Sequence, residues 1–280
     1  MAYAAGSHPH IRSNDSLAGR YWTAVVFLIP SAFIKIAGSW PKIFLLAALF
    51  LVTAAAHFIL DAVNLSRAQN SGWRQGFLAV YILLWFLILP EKTNFGPAIL
   101  SFLFSFVFIY EFFGGLGAYP IHPVLGGVLI LRLFLYRESV NTILEPSSYF
   151  IWGCASLLPL AFGGIYLGIQ KKIRLIPAIS FIGTVIFLSW VSGRVMDIEL
   201  FYALFIFGFY ILTDTAVSPL KAGPHLFTAL GSAFCMSLLM LLGGGIIGSG
   251  AVALAVWNLI SQVLDSLSIS GLKSGRILHG

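Results

Sequence analysis

Apolar residues in this chain gather into long runs, unlike the short alternations of half-buried strands or the striped helices of soluble domains. A helix needs about 20 such residues to cross a hydrocarbon core of about 30 Å. On that measure the pattern predicts ten helical spans, at 21–38, 42–62, 76–90, 95–113, 122–137, 149–169, 174–192, 198–213, 223–244 and 248–267. Several fall short of full length, the fifth and eighth among them. Polar tails, 1–20 and 269–280, flank the transmembrane domain at 21–268. The first tail has no apolar stretch followed by a small-residue cleavage site, so it reads as a short tail and not a removable signal. The expected fold class is an all-α polytopic membrane protein.

Composition agrees. Hydrophobic residues make up 59% of the 280 and charged residues 9%, with a mean hydropathy of +0.95; soluble domains carry roughly 25% charged residues. The net charge of +6 reflects topology more than a nucleic-acid surface, because no loop offers a basic stripe interleaved with aromatics. With ten spans both termini share a side. That side collects Arg12, Arg20, Arg67, Arg74, Lys171, Lys172, Arg174, Lys221, Lys273 and Arg276, which makes it cytoplasmic by the positive-inside rule. The expected location is a bacterial-type inner (plasma) membrane, crossed many times. The two cysteines, Cys154 and Cys235, both lie inside apolar spans, so no disulfide framework or four-cysteine metal site is built within the chain, and no metal is expected.

The spans carry a weak internal echo. Gly96 and Pro97 open the fourth, which runs to Gly114, Gly115 and Gly117; Gly223 and Pro224 open the ninth, which runs to Gly243, Gly244 and Gly245. Dividing the chain between the fifth and sixth spans gives repeat one at about 21–137 and repeat two at about 149–268. An odd number of spans per unit inverts the second relative to the first, as in many transporters.

Candidate chemistry is concentrated where polarity interrupts an apolar run. TDTAVSP, from Thr213 to Pro219, directly follows the eighth span. Backbone there that is neither helical nor solvated needs protein or a wet cavity around it. Ionisable residues inside spans are expensive and tend to be functional; here they are Glu111, Arg132, Glu199, Asp214 and Asp265. Asp214 stands out because the break supplies polar surroundings. Lys35 and Asp61 lie near enough to span ends to snorkel, and Arg132 is placed to satisfy carbonyls or pair with Glu111. His57, His122 and His225 read as neutral rings packed between helices and bonded to carbonyls.

The order of these motifs resembles the family of RnfD, a membrane component of the Rnf electron-transport complex, and NqrB, its counterpart in the sodium-pumping NADH:quinone oxidoreductase. TDTAVSP is similar to that family's TDPVTSP-like motif through Thr213, Asp214, Val217, Ser218 and Pro219. IHPVLGG resembles the family's NPAMVGY-like motif, with Pro123 and Gly126 retained. Downstream, Gly223, the turn Gly243 to Gly245, Asn258 and Asp265 look like the family's glycines and its final Asn and Asp. The likeness spans roughly 95–268 and is strongest after 198.

The resemblance implies ten helices in two inverted units, similar to urea and ammonium transporters. It also implies FMN linked to a threonine in an S/T, G, A, T motif, integral and peripheral partner subunits, and electron flow coupled to sodium or proton translocation. Such a chain is a non-autonomous part of an oxidoreductase, with an ion path or half-helix motif at Thr213, Asp214, Ser218, Pro219, Pro123, Gly126 and Asn258. The flavin motif itself departs from the pattern. ESVNT places Ser139 and Thr142 where S and T belong, but Val140 and Asn141 replace glycine and alanine, bulk that argues against modification. The alternative function is a flavin-free channel or carrier for a small solute or ion on a urea-transporter-like scaffold.

Overall fold

The computed structural model describes residues 14–37, 41–62, 72–89, 94–112, 120–132, 146–214 and 222–277. Among these residues the chain is helical with no strand. The order is α1 (Asn14–Ala37), α2 (Pro41–Ala62), α3 (Gly72–Ile88), α4 (Phe95–Phe104), α5 (Pro123–Ile130), α6 (Pro146–Ile169), α7 (Leu175–Val191), α8 (Ile198–Phe205), α9 (Ala222–Leu241) and α10 (Ile246–Ile277). Each of the ten apolar segments is thus helical. Gly96–Pro97 and Gly223–Pro224 both fall in the first turn of their helices, where proline's missing N–H has no helical partner to lose.

Four helices are long and apolar enough to cross a membrane, at Gly19–Ala37, Pro41–Ile59, Gly223–Leu241 and Ile246–Val263; the remainder are shorter apolar helices. Among the described residues three of the shorter ones pass into π-helix: α4 through Ser105–Glu111, α8 through Ile206–Ile211 and, briefly, α5 at 131–132. Widening the turn by one residue rotates every later side chain by about 100° relative to an uninterrupted α-helix. Long π runs of this kind are uncommon and often mark functional places.

Burial divides the helices into two layers. In α3 every residue from Val80 to Leu89 is buried, as are His122 to Val128 at the start of α5 and Ile206 to Asp214 at the end of α8. A helix buried on all sides belongs to the interior. The outer layer is α1, α2, α4, α6, α7 and α9, with the later part of α10, and it carries exposed apolar side chains such as Phe33, Phe44, Phe58, Phe162, Ile176, Trp190 and Phe234. Among the described residues none of the large exposed apolar side chains lies on α3, α5 or α8. So wide an apolar belt needs a lipid or protein cover.

Contacts between helices are close where glycine permits. A β-carbon at Gly127 in α5 would come within 2.7 Å of the Trp85 ring of α3, and one at Gly231 or Gly250 would overlap Trp257 or Phe207. Behind Trp85 the interior is aromatic. Trp85, Phe102, Tyr81, Phe106, Tyr110 and Phe77 form a continuous column of ring contacts with centroids 4.7–6.5 Å apart, and Tyr21 closes it edge-on at 5.4 Å. Packing, not an aqueous lumen, fills the space between α3 and α4.

Candidate functional site

The end of α8 is where the interior turns polar. The π segment delivers Leu212 to its last hydrogen bond, from its N–H to Phe207 O, and the chain then leaves the helix at Asp214. Four groups from three distant parts of the sequence meet there. Arg20, early in α1, donates from Nη2 to Thr213 O at 2.9 Å and stands 3.8 Å from Asp214 Oδ1. The Tyr21 hydroxyl donates to the same Oδ1 at 3.2 Å. His122, the N-cap of α5, places Nε2 3.4 Å from Asp214 Oδ2. All four residues are buried, none more than 6% exposed.

The chemistry of this arrangement can be read from its hydrogen bonds. His122 Nδ1 accepts from the Val124 N–H at 3.2 Å, so a neutral ring carries its proton on Nε2, the nitrogen facing Asp214. Both carboxylate oxygens therefore face protein donors, and the guanidinium also caps a carbonyl freed by the end of α8. A carboxylate alone at this depth would be very expensive; paired and hydrogen-bonded it is tolerated. Mechanically, Asp214 ties the end of α8 to the start of α5 and the start of α1.

A second cation holds a second helix end. Lys35, in the last turn of α1, donates from Nζ to Phe86 O at 2.7 Å, Leu87 O at 2.8 Å and Leu89 O at 2.6 Å, the closing carbonyls of α3. Three acceptors match the three N–H bonds of an ammonium. The expectation that Lys35 snorkels is corrected here: it is half-buried and turned inward, because the open end of α3 offers better acceptors than the interface. One helix, α1, thus carries a cation near each end, and each caps the C-terminus of an interior helix.

The sequence profile of the NQR2, RnfD, RnfE family matches residues 4–147, just over half of the chain. This chain belongs to that family. A curated relative from Methanosarcina acetivorans, described as the D-type subunit of an ion-translocating oxidoreductase complex, is similar at 22% identity over 281 residues, covering 94% of each chain. With the apolar belt, membership of the NQR2, RnfD, RnfE family makes this a multi-pass membrane protein. The profile match covers the half that supplies Arg20, Tyr21, Lys35 and His122, whereas the motif likeness is strongest after residue 198.

In this NQR2, RnfD, RnfE chain the expected site residues fall into three groups. Thr213 and Asp214 lie in the cluster, with Thr213 Oγ1 donating back to Phe209 O; Pro123, next in the chain to His122, accepts at its carbonyl from Ser105 Oγ of the π segment, and Gly126 lies against Ile109 of that segment. Asn258 is buried on α10, and its Nδ2 has no hydrogen-bond partner among the described residues. Ser218, Pro219, Ser139 and Thr142 lie outside the described residues. Val140 and Asn141 do not fit the small pair of the flavin-bearing motif.

Arg20 and Tyr21 are additions to the site that local sequence does not announce. Arg20 counts, in the sequence, only as one more positive charge at a span boundary; its position one residue before the first apolar run is the sole hint that it could reach inward. His122 differs from expectation too, since Nε2 faces a carboxylate and not a carbonyl. His225 does meet a carbonyl, Leu212 O at 3.2 Å, while its Nδ1 lies 3.4 Å from Arg174 Nη1. Arg132 lies against Gly248 of α10, where a β-carbon would overlap its guanidinium.

Proposed function

We propose that this protein is the D-type membrane subunit of an ion-translocating electron-transport complex. The observation that carries the proposal is the match to a relative of that description over 94% of both chains, on a chain that belongs to the same broad family. In this reading the chain works with integral and peripheral partners that bring electrons, and its own contribution is the path for the coupled ion past the break at Asp214. Flavin serves the complex as the one-electron relay. The altered residues Val140 and Asn141 favour a chain that carries no FMN at Thr142.

The finer architecture of the proposal is ten spans in two inverted units, repeat one at about 21–137 and repeat two at about 149–268, with both termini cytoplasmic in a bacterial-type plasma membrane. Two features support it. Packing partners recur after a shift of five helices: α1 with α3 and α6 with α8, α2 with α4 and α7 with α9, α3 with α5 and α8 with α10, α4 with α5 and α9 with α10. The remaining large contacts, α1 with α6 and α5 with α10, join equivalent helices of the two units, as a two-fold relation requires. Bonds at helix ends also obey strict alternation. The starts of α1 and α5 meet the end of α8, the end of α6 meets the start of α1 through Lys172 and Gly19 O, and the ends of α7 and α9 meet through Arg194 and Met240 O.

The test is purification of the affinity-tagged chain from its native membranes in mild detergent. Co-purifying subunits with flavin or iron–sulfur absorbance are expected. A chain that purifies alone, and by itself conducts ions into proteoliposomes, contradicts the subunit reading. In-gel flavin fluorescence checks the separate point about FMN: a fluorescent band at this chain, lost in Thr142→Val, would overturn the unflavinylated assignment and leave the subunit reading intact.

A further inference from the structure

An ion-translocating protein with broken helices offers two natural seats for a metal cation: a carboxylate at a break, and the bare carbonyls at a helix end. Discontinuous helices in transporters supply ion ligands in this way, and carbonyl cups replace hydration shells in channels. This chain has one of each. At both, a protein side chain already holds the position a cation would take. The three closing carbonyls of α3 converge on Lys35 Nζ at 2.6–2.8 Å. At the other break, Asp214 Oδ1 accepts from Tyr21 and faces Arg20, and Oδ2 faces His122 Nε2.

We propose that Arg20 and Lys35 are resident cations that close the two breaks to sodium and other alkali-metal ions, so that no metal ion handled by this protein binds at Asp214. This rests on the reading that the chain belongs to an ion-translocating complex, and it names the class of ion that the two breaks exclude. A metal ion at Asp214 would have to displace hydrogen-bond donors from the carboxylate and then sit within about 4 Å of a guanidinium that cannot lose its charge. Two like charges at that separation, at an effective dielectric constant near 20, weaken binding on the order of a thousandfold. The same guanidinium offsets the charge of the carboxylate that would draw a metal inward.

The test uses the full-length chain in nanodiscs, with sodium chloride exchanged for choline chloride at constant ionic strength. Readouts are the thermal unfolding midpoint and direct binding of radioactive sodium. The wild-type chain is expected to show neither a sodium-specific midpoint shift nor saturable sodium binding. Arg20→Gln, which leaves Asp214 without its fixed cation, is expected to gain a sodium-specific stabilisation of roughly a few degrees, lost again when Asp214→Asn is added. Sodium binding by the wild type that Asp214→Asn abolishes would overturn the proposal. So would a folded Arg20→Gln chain that ignores sodium. Should Arg20→Gln not fold, Lys35→Met carries the same comparison at the other break: stabilisation by sodium, potassium or ammonium supports the proposal, and indifference to all three overturns it. Failure of the subunit reading would appear in the purification and not in these midpoints.

Discussion

The ends of α3 and α8 make an instructive pair. Both terminate inside the bundle, both are capped by a cation from α1, and the two cations lie 15 positions apart on that helix, a separation of about 22 Å. At α3 the cap is an ammonium on three neutral carbonyls, with a dense aromatic column packed behind it. At α8 the cap is a guanidinium shared between one carbonyl and a carboxylate, with a histidine and a tyrosine completing the shell. The first joins α1 to α3 alone; the second, through one carboxylate, ties together the end of α8 and the starts of α1 and α5. Similar geometry therefore serves two purposes, and one carboxylate makes the difference.

The contrast is open to direct attack. Removing the guanidinium with Arg20→Met leaves a buried carboxylate without its fixed cation and should destabilise the protein by about 3–5 kcal/mol, seen as a lowered unfolding midpoint in detergent. Lys35→Met removes the charge-assisted bonds to the carbonyls that close α3. Its effect should be smaller, about 2–3 kcal/mol, and a result larger than that of Arg20→Met would reverse the ranking of the two ends. Gly127→Ala forces a methyl against the buried Trp85 ring of α3, for a loss of about 1–3 kcal/mol. Tyr21→Phe takes one hydrogen bond from the Asp214 carboxylate and should cost about 1.5 kcal/mol. These are measurable by the same unfolding assay.

Much of the architecture is legible in the sequence because lipid imposes a length and a polarity on each helix. Among the described residues the ten apolar segments are all helical, and their ends differ from the expected ones by only a few residues apart from the start of α1 at Asn14 and the extension of α10 to Ile277; the expected end of the fifth span, at 137, lies outside the described residues. Asp214 is legible for a related reason, since a carboxylate at the end of an apolar run has few structural excuses. Its partners are not. Arg20 and Tyr21 lie 193 positions from the groups they bind, and no local periodicity encodes that approach. Lys35 misleads because a lysine near a span end has an easy route to the interface; only the fold shows three carbonyls nearer at hand. The π segments of α4 and α8, which pack against α5 and α7, are equally hidden, since no local pattern announces them.

The central claim, that Arg20 and Asp214 act as one latch, is tested most directly by a double-mutant cycle of Arg20→Met and Asp214→Asn on the unfolding free energy of the full-length chain. A coupling of about 2 kcal/mol or more is expected, with the double variant more stable than Arg20→Met alone. Additive effects, within about 0.5 kcal/mol, would contradict it.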